Sequence, residues 1–119
     1  MDGYEVKMGI IDSIPVISAI GYFEKLAGAK VKEEAEKLMQ GGNAHLVLDL
    51  SQCSVLASPG VAVLIEISIA AIDTYSGKLI VCGLDKLKER VLRMVLLQDT
   101  SDLVPTVAEA VARAKELKS

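Results

Sequence analysis

His45-Leu46-Val47-Leu48-Asp49-Leu50-Ser51, then Ala57-Ser58-Pro59-Gly60 ahead of a long apolar segment, is the stretch that decides the fold. Leu46 to Leu50 is a continuous apolar run broken only by Asp49, short enough for a strand covered on both faces. A short loop follows and a helix opens on a serine, which puts the Ser58 hydroxyl beside a helix N-terminus, among amides without intrahelical partners. Two readings of that hydroxyl stand: a place where a phosphate can sit, and an ordinary helix cap.

Working outward, Lys78 to Cys82 is a second run of the same kind. A helical pattern separates the two, and a crossover of that length implies parallel pairing with the helix packed on the sheet. Upstream, residues 4 to 11 and 14 to 22 carry β-branched residues on either side of Asp12-Ser13, with Pro15 near the start of the second run, where a strand tolerates it; this predicts a hairpin. Between Ala29 and Met39, Val31, Ala35, Leu38 and Met39 share one helical face with Lys32, Glu33, Glu36 and Lys37 turned outward, and Gly41-Gly42 stops the helix. Downstream, Asp85 to Leu97 reads as an amphipathic helix with Leu87, Val91, Met94 and Val95 inward. Leu103-Val104 suits a short last strand. Thr106 caps a terminal helix over 106–117 that turns Val107, Ala110, Val111 and Ala114 to the core. The expectation is one α/β domain over residues 1–119 with a mixed sheet of four or five strands.

If Pro59 is the first helical residue, steps of about 100° put Val61, Leu64, Ile65, Ser68 and Ile72 on the face that meets the sheet. The opposite face gathers Ala62, Glu66, Ala70 and Asp73, flanked by Val63 and Ile69. It is small, apolar and lightly charged, where a solvated face carries more Lys and Glu. Either a neighbouring helix covers it or it docks another protein.

Composition narrows the function. The chain has 119 residues, a net charge of −3 with 13 basic residues scattered among 16 acidic ones, and 3% aromatics. Nucleic acid is not an expected partner, since phosphate-backbone binding needs a clustered positive footprint. The start, Met1-Asp2-Gly3-Tyr4-Glu5, lacks a secretory pattern and no run looks long enough to cross a membrane, so a cytoplasmic protein without membrane insertion is expected. Cys53, read as lying in a loop, and Cys82 are expected to be free thiols. With His45 they supply too few ligands for a metal site, and no cofactor is expected. Catalysis through Ser58 or Cys53 needs a base, and His45 starts a strand whose far end lies about 16 Å away over five residues. There is no Gly-x-Ser-x-Gly elbow and no phosphate-binding loop ending in Lys-Ser or Lys-Thr. A non-enzymatic chain follows.

With these residues assembled, the chain resembles the anti-sigma factor antagonist group of the STAS domain family. The resemblance rests on the β-rich start, on Gly21-Tyr22-Phe23-Glu24 where the family tends to have a Gly-x-x-Asp turn, and on the strand ending Asp49-Leu50-Ser51. It continues through Ser58-x-Gly60, Gly77-Lys78-Leu79-Ile80-Val81-Cys82 and a final Ala-rich helix. It implies a mixed sheet with about four helices mostly on one side. It also implies a regulatory module that captures a kinase-type anti-sigma factor, is phosphorylated by it on the serine matching Ser58, and is restored by a phosphatase. Together with the helix face read above, the expected partner surface takes in Glu24, Asp49, Ser51, Ala57, Ser58, Gly60, Ala62, Val63, Glu66 and Ile69.

Two positions depart from the family's Asp-Ser-Ser-Gly junction: Ala57 replaces the aspartate and Pro59 the second serine. Pro59 has no N–H and removes one amide from any phosphate cradle. The departures keep a second reading open, a STAS domain that scaffolds a signalling or transport complex without being phosphorylated.

Overall fold

The computed structural model describes residues 3–96 and 101–118. Strands β1 (Tyr4–Ile11) and β2 (Ile14–Phe23) lead to helix α1 (Lys25–Gln40), β3 (His45–Asp49), β4 (Cys53–Leu56), α2 (Ser58–Tyr75), β5 (Lys78–Cys82), α3 (Lys86–Val95), β6 (Ser101–Val104) and α4 (Val107–Lys118). The sheet runs β1-β2-β3-β5-β6, with β4 continuing beside β2. β1 is antiparallel to β2, and the other pairings are parallel. The mixed sheet thus has six strands, one more than expected. The addition is β4, whose four residues around Cys53 are a strand where a loop was expected.

The hairpin forms where the β-branched runs place it. Asp12 and Ser13 both take positive φ, 52° and 68°. A two-residue loop of that kind matches the twist of the flanking strands. Gly21, expected in a turn, lies inside β2 at φ 86°, where the pairing with β4 shifts register.

Alternation along the central strands divides the core. Ile17, Leu46, Leu48, Leu79 and Val81 face a cluster shared with α1, α2 and Leu92 of α3. Val16, Val47, Ile80 and Cys82 face α4 through Ala110, Val111 and Ala114. Three helices therefore lie on one side and one on the other. Thr106 caps as the sequence suggests, its Oγ1 accepting from the Glu109 N–H at 3.1 Å, and Asp85, read as the start of its helix, is its N-cap, with Oδ1 accepting from the Lys88 N–H at 2.8 Å. The expected end of α3 at Leu97 lies outside the described residues.

Two helical faces differ from expectation. In α2 the buried arc is Gly60, Val61, Leu64, Ile67, Ser68 and Ala71, while Ile65 and Ile72 are half-buried, so the helix is rotated toward α1. α2 is also long and apolar enough, by length and composition, to cross a membrane. Within the fold it packs on the sheet below and on α1 beside. In α3 the correction is larger: Leu87, Val91, Met94 and Val95, expected inward, are all exposed, and Leu92 is the buried side chain. The apolar residues that pack inward are Leu84, Leu92 and Leu96, and Lys88, half-buried, pairs with Asp85.

Gly60 sits where α2 starts against the end of β2. A Cβ there would lie 2.6 Å from both Cδ2 and the carbonyl oxygen of Phe23. Alanine in place of glycine in a helix gains up to about 1 kcal/mol. The Phe23 carbonyl belongs to the sheet and yields little, so overpacking wins. Gly60→Ala is expected to lower stability by about 1–3 kcal/mol, read as the midpoint shift in urea unfolding.

Asp102 ties β6 to its neighbours, 3.0 Å from Lys78 Nζ and 2.8 Å from Arg113 Nε. Burial pushes its carboxyl up, but the hydrogen bonds from Arg113 and Lys78 outweigh it and hold it below the usual range. A depressed folded pKa gives stability present above the unfolded value of about 3.9 and lost as pH falls through the folded one. Asp102→Asn is expected to cost about 1 kcal/mol at pH 7. Urea titrations at successive pH values should show that difference shrink below about pH 4.

Candidate functional site

The junction around Ser58 is built from β2 outward. The Ala57 N–H donates to the Phe23 carbonyl at 2.9 Å, and the Ala57 carbonyl accepts from Gly60 and Val61 at 3.0 and 3.1 Å. Ala57, extended at φ −93° and ψ 156°, is therefore the N-cap residue, Ser58 opens the helix and Pro59 stands second. This corrects the expectation that Ser58 caps and Pro59 comes first. Alanine has no side-chain oxygen to cap with, and the Ser58 hydroxyl is exposed without a hydrogen-bond partner among the described residues. The expected set of unpaired amides shrinks as well. Pro59 has none and the Gly60 N–H is taken by Ala57, which leaves the N–H of Ser58 itself.

Beyond the junction, the two expectations for the outer face of α2 divide it between them. Val63 is half-buried against α1, where a Cβ on Gly28 would come within 3.0 Å of its Cγ2. Ala62, Glu66 and Ile69 are exposed, and Glu66 reaches across to Lys32 Nζ at 3.2 Å. Glu24 is half-buried, directly follows Phe23, and opens α1 with no side-chain cap bond. Gly60 is buried, so its part is positional. Glu24, Ala57, Ser58 and Gly60 gather where β2, α1 and α2 meet, and Ala62, Glu66 and Ile69 continue away from that junction along α2.

Asp49 and Ser51 lie apart from them. Asp49 pairs with Ser18 of β2, two residues on from Val47 and Val16, so alternation turns its side chain toward the α4 face. There its Oδ1 accepts from the Ser51 N–H at 2.9 Å. Burial and the neighbouring Asp49 push the Cys82 thiol up to about 12, which keeps it protonated and unreactive near neutral pH. Burial also raises the Cys53 thiol. His45 sits at the opposite end of β3 from the loop leading to Ser58, its basicity lowered by burial and by Lys118.

One surface escaped the sequence reading. Val55 and Leu56 of β4, with Leu87, Lys88 and Val91 of α3 and with Ser54, line an apolar groove of about 250 Å³. β4 runs straight from this groove into Ala57 and Ser58. The available signal was the second ladder of α3, since Leu84, Leu92 and Leu96 at steps of four compete with Leu87, Val91 and Met94 for the core.

The model of the STAS domain family matches residues 5–110. No curated protein sequence matches. Solved structures are similar in fold. A glutamate-for-serine variant of RsbS from Moorella thermoacetica has a TM-score of 0.77 at 21% identity, covering 95% of this chain and 97% of that one. An anti-sigma factor antagonist from Mycobacterium paratuberculosis gives 0.74 at 18%, covering 96% of each chain. Bacillus SpoIIAA in its phosphorylated form gives 0.67 at 15%, covering 93% and 98%. With a family model spanning residues 5–110 and a mixed sheet with three helices on one side and one on the other in place, the chain belongs to the STAS domain family.

Proposed function

We propose that this protein is an anti-sigma factor antagonist: unmodified, it captures a kinase-type anti-sigma factor, and phosphorylation of Ser58 releases it. The observation that carries the reading is an exposed hydroxyl, unused for capping, in the first turn of α2 beside uncovered apolar surface. In this reading the partner surface combines Glu24, Ala57 and Ser58 with Ala62, Glu66 and Ile69, while Val63 and Gly60 shape it from beneath. Asp49 and Ser51 act at one remove by setting the loop that leads into β4. The module is a binding protein without catalysis of its own, and a phosphatase that removes the phosphate resets it.

Phosphate would bring about −1.5 to −2 charges to the helix start. The domain tolerates them, because the helix dipole favours an anion there by about 0.3–1 kcal/mol. A docked partner has to desolvate the phosphate or meet it with a cation, so a small effect on folding becomes a large one on binding.

A specific observation favours the second reading, an unphosphorylated scaffold: only the Ser58 N–H remains to hold a phosphate, given Pro59 and the Gly60 to Ala57 bond. Intact mass after incubation with ATP and candidate serine-kinase anti-sigma factors separates the two. The switch predicts one added phosphate on wild type and none on Ser58→Ala. In pull-downs, Ser58→Asp is expected to weaken binding at least about tenfold, as a buried unpaired charge should. Equal binding by wild type and Ser58→Asp removes the switch and leaves the scaffold.

A further inference from the structure

β1 is an edge strand. β2 lies on one side of it, and among the described residues no strand lies on the other. Edge strands are normally blunted by proline, a bulge, a short length or an inward charge. β1 has none of these on one of its faces: it runs eight residues, pairs with β2 in unbroken register from Tyr4↔Gly21 to Ile11↔Ile14, and contains no proline. Met8 pairs with Ile17 and Val6 with Ala19, so Tyr4, Val6, Met8 and Ile10 form an apolar stripe on the α1 side of the sheet. Tyr4 and Met8 are each 43% exposed and Ile10 is 75% exposed.

The hydrogen-bond phase of the hairpin fixes which backbone groups are free. The Tyr22 N–H donates to the Gly3 carbonyl at 2.9 Å. In an antiparallel pair, such bonded positions alternate with positions whose N–H and C=O point away. Gly3, Glu5, Lys7, Gly9 and Ile11 therefore spend their backbone groups on β2, and Tyr4, Val6, Met8 and Ile10 direct theirs outward. The residues of the apolar stripe are thus the ones that offer ladder bonds.

We propose that β1 pairs with β1 of a second copy of this chain, antiparallel about a two-fold axis through Val6, to make one continuous sheet across the dimer. Charge sets the register. With the axis on Val6, each Val6 exchanges both backbone bonds with its counterpart and each Tyr4 with Met8 of the other copy. Each Glu5 then faces Lys7 of the other copy, in the closely spaced unbonded positions. An axis on Glu5 puts Glu5 opposite Glu5, and one on Lys7 puts Lys7 opposite Lys7; like charges directly opposite are destabilising. An axis on Met8 leaves Glu5 facing Ile11 and Lys7 facing Gly9. Glu5 and Lys7 are on the α4 side of the strand and about 60% exposed, at 60% and 62%, joined within one copy only by a 3.8 Å contact. Both are available to a second copy, and the pairing is independent of Ser58.

Sedimentation of the full chain from micromolar to several hundred micromolar tests this. Wild type is expected to pass from monomer to dimer across that range. Lys7→Glu sets Glu5 against a second glutamate and is expected to raise the dimer dissociation constant about tenfold. The double variant Glu5→Lys with Lys7→Glu inverts both charges, keeps the pairing, and is expected to return within about threefold of wild type. Val6→Pro removes an outward N–H that β2 does not use, and is expected to be monomeric with an unchanged circular dichroism spectrum. Should that variant unfold, the two charge variants carry the test alone, since both sites are exposed. A wild type that stays monomeric throughout overturns the proposal. So does a dimer indifferent to Lys7→Glu, or one that the double variant fails to restore.

Discussion

Phe23 and Gly60 approach so closely that no side chain fits between them. The Phe23 carbonyl takes the Ala57 N–H at 2.9 Å, and Phe23 itself is fully buried, so the end of β2 holds both the backbone before α2 and its first turn. Gly28 extends the same arrangement sideways, its Cα region lying against Val63 and the Cα of Gly60. One strand end thereby positions two helices. The edge at Ala57 and Ser58 inherits its geometry from buried backbone contacts at Phe23, in which Ala57 takes part only through its N–H and Ser58 not at all, and a loop placed by backbone packing can vary in sequence while keeping its position. Ala57 and Pro59 illustrate this, since neither disturbs the extended cap or the helical turn that follows.

The sheet also sorts the polar residues that sequence order places near one another. Asp49 is only nine positions before Ser58, yet alternation along β3 sends its side chain to the α4 face while α2 lies on the other. Its bond to the Ser51 N–H shapes the chain as it leaves β3, and the Leu50 N–H is taken by the Cys82 carbonyl at 2.9 Å. Asp49 therefore stands across the sheet from Glu66 and Lys32, which lie on the helical surface.

Much of the fold was legible because its signals are local. The hairpin turned on Asp12-Ser13 between β-branched runs, and the parallel core on Leu46–Leu50 and Leu79–Cys82, runs too short for helices and too apolar for loops. Thr106 was readable as a cap because a hydroxyl one residue before a helical pattern has one common use. What could not be read depended on partners far along the chain. β4 is four residues long and becomes a strand only because β2 extends past β3 and offers Gly21 to Phe23 for pairing. The α3 wheel has two apolar ladders, and which one faces the core depends on the width of the sheet beneath. In the candidate site, exposure of the α2 stripe required knowing that α1 stops at Val63 and does not cover Ala62 or Ile69. Ser58 was placed one position early in its helix because a serine before a proline is the commoner cap. The competing pull came from Phe23, which fixed Ala57 and so advanced the helix start by one residue.

That one-residue advance has a chemical consequence. A serine at the cap position spends its oxygen on the amides two or three residues ahead, and any modification of that oxygen then costs the helix a cap. At the first helical position the oxygen is released from that duty, and the cap is an alanine that contributes only its carbonyl. Adding a group to Ser58 therefore removes nothing that α2 depends on. The same advance puts Pro59 where an amide would otherwise point at an anion, and leaves the Gly60 N–H bonded to Ala57. An anion on Ser58 would be held weakly by its own domain, through one amide and the helix dipole. Its charge would stay turned toward solvent, and discrimination between the two states of Ser58 would fall to whatever surface meets it.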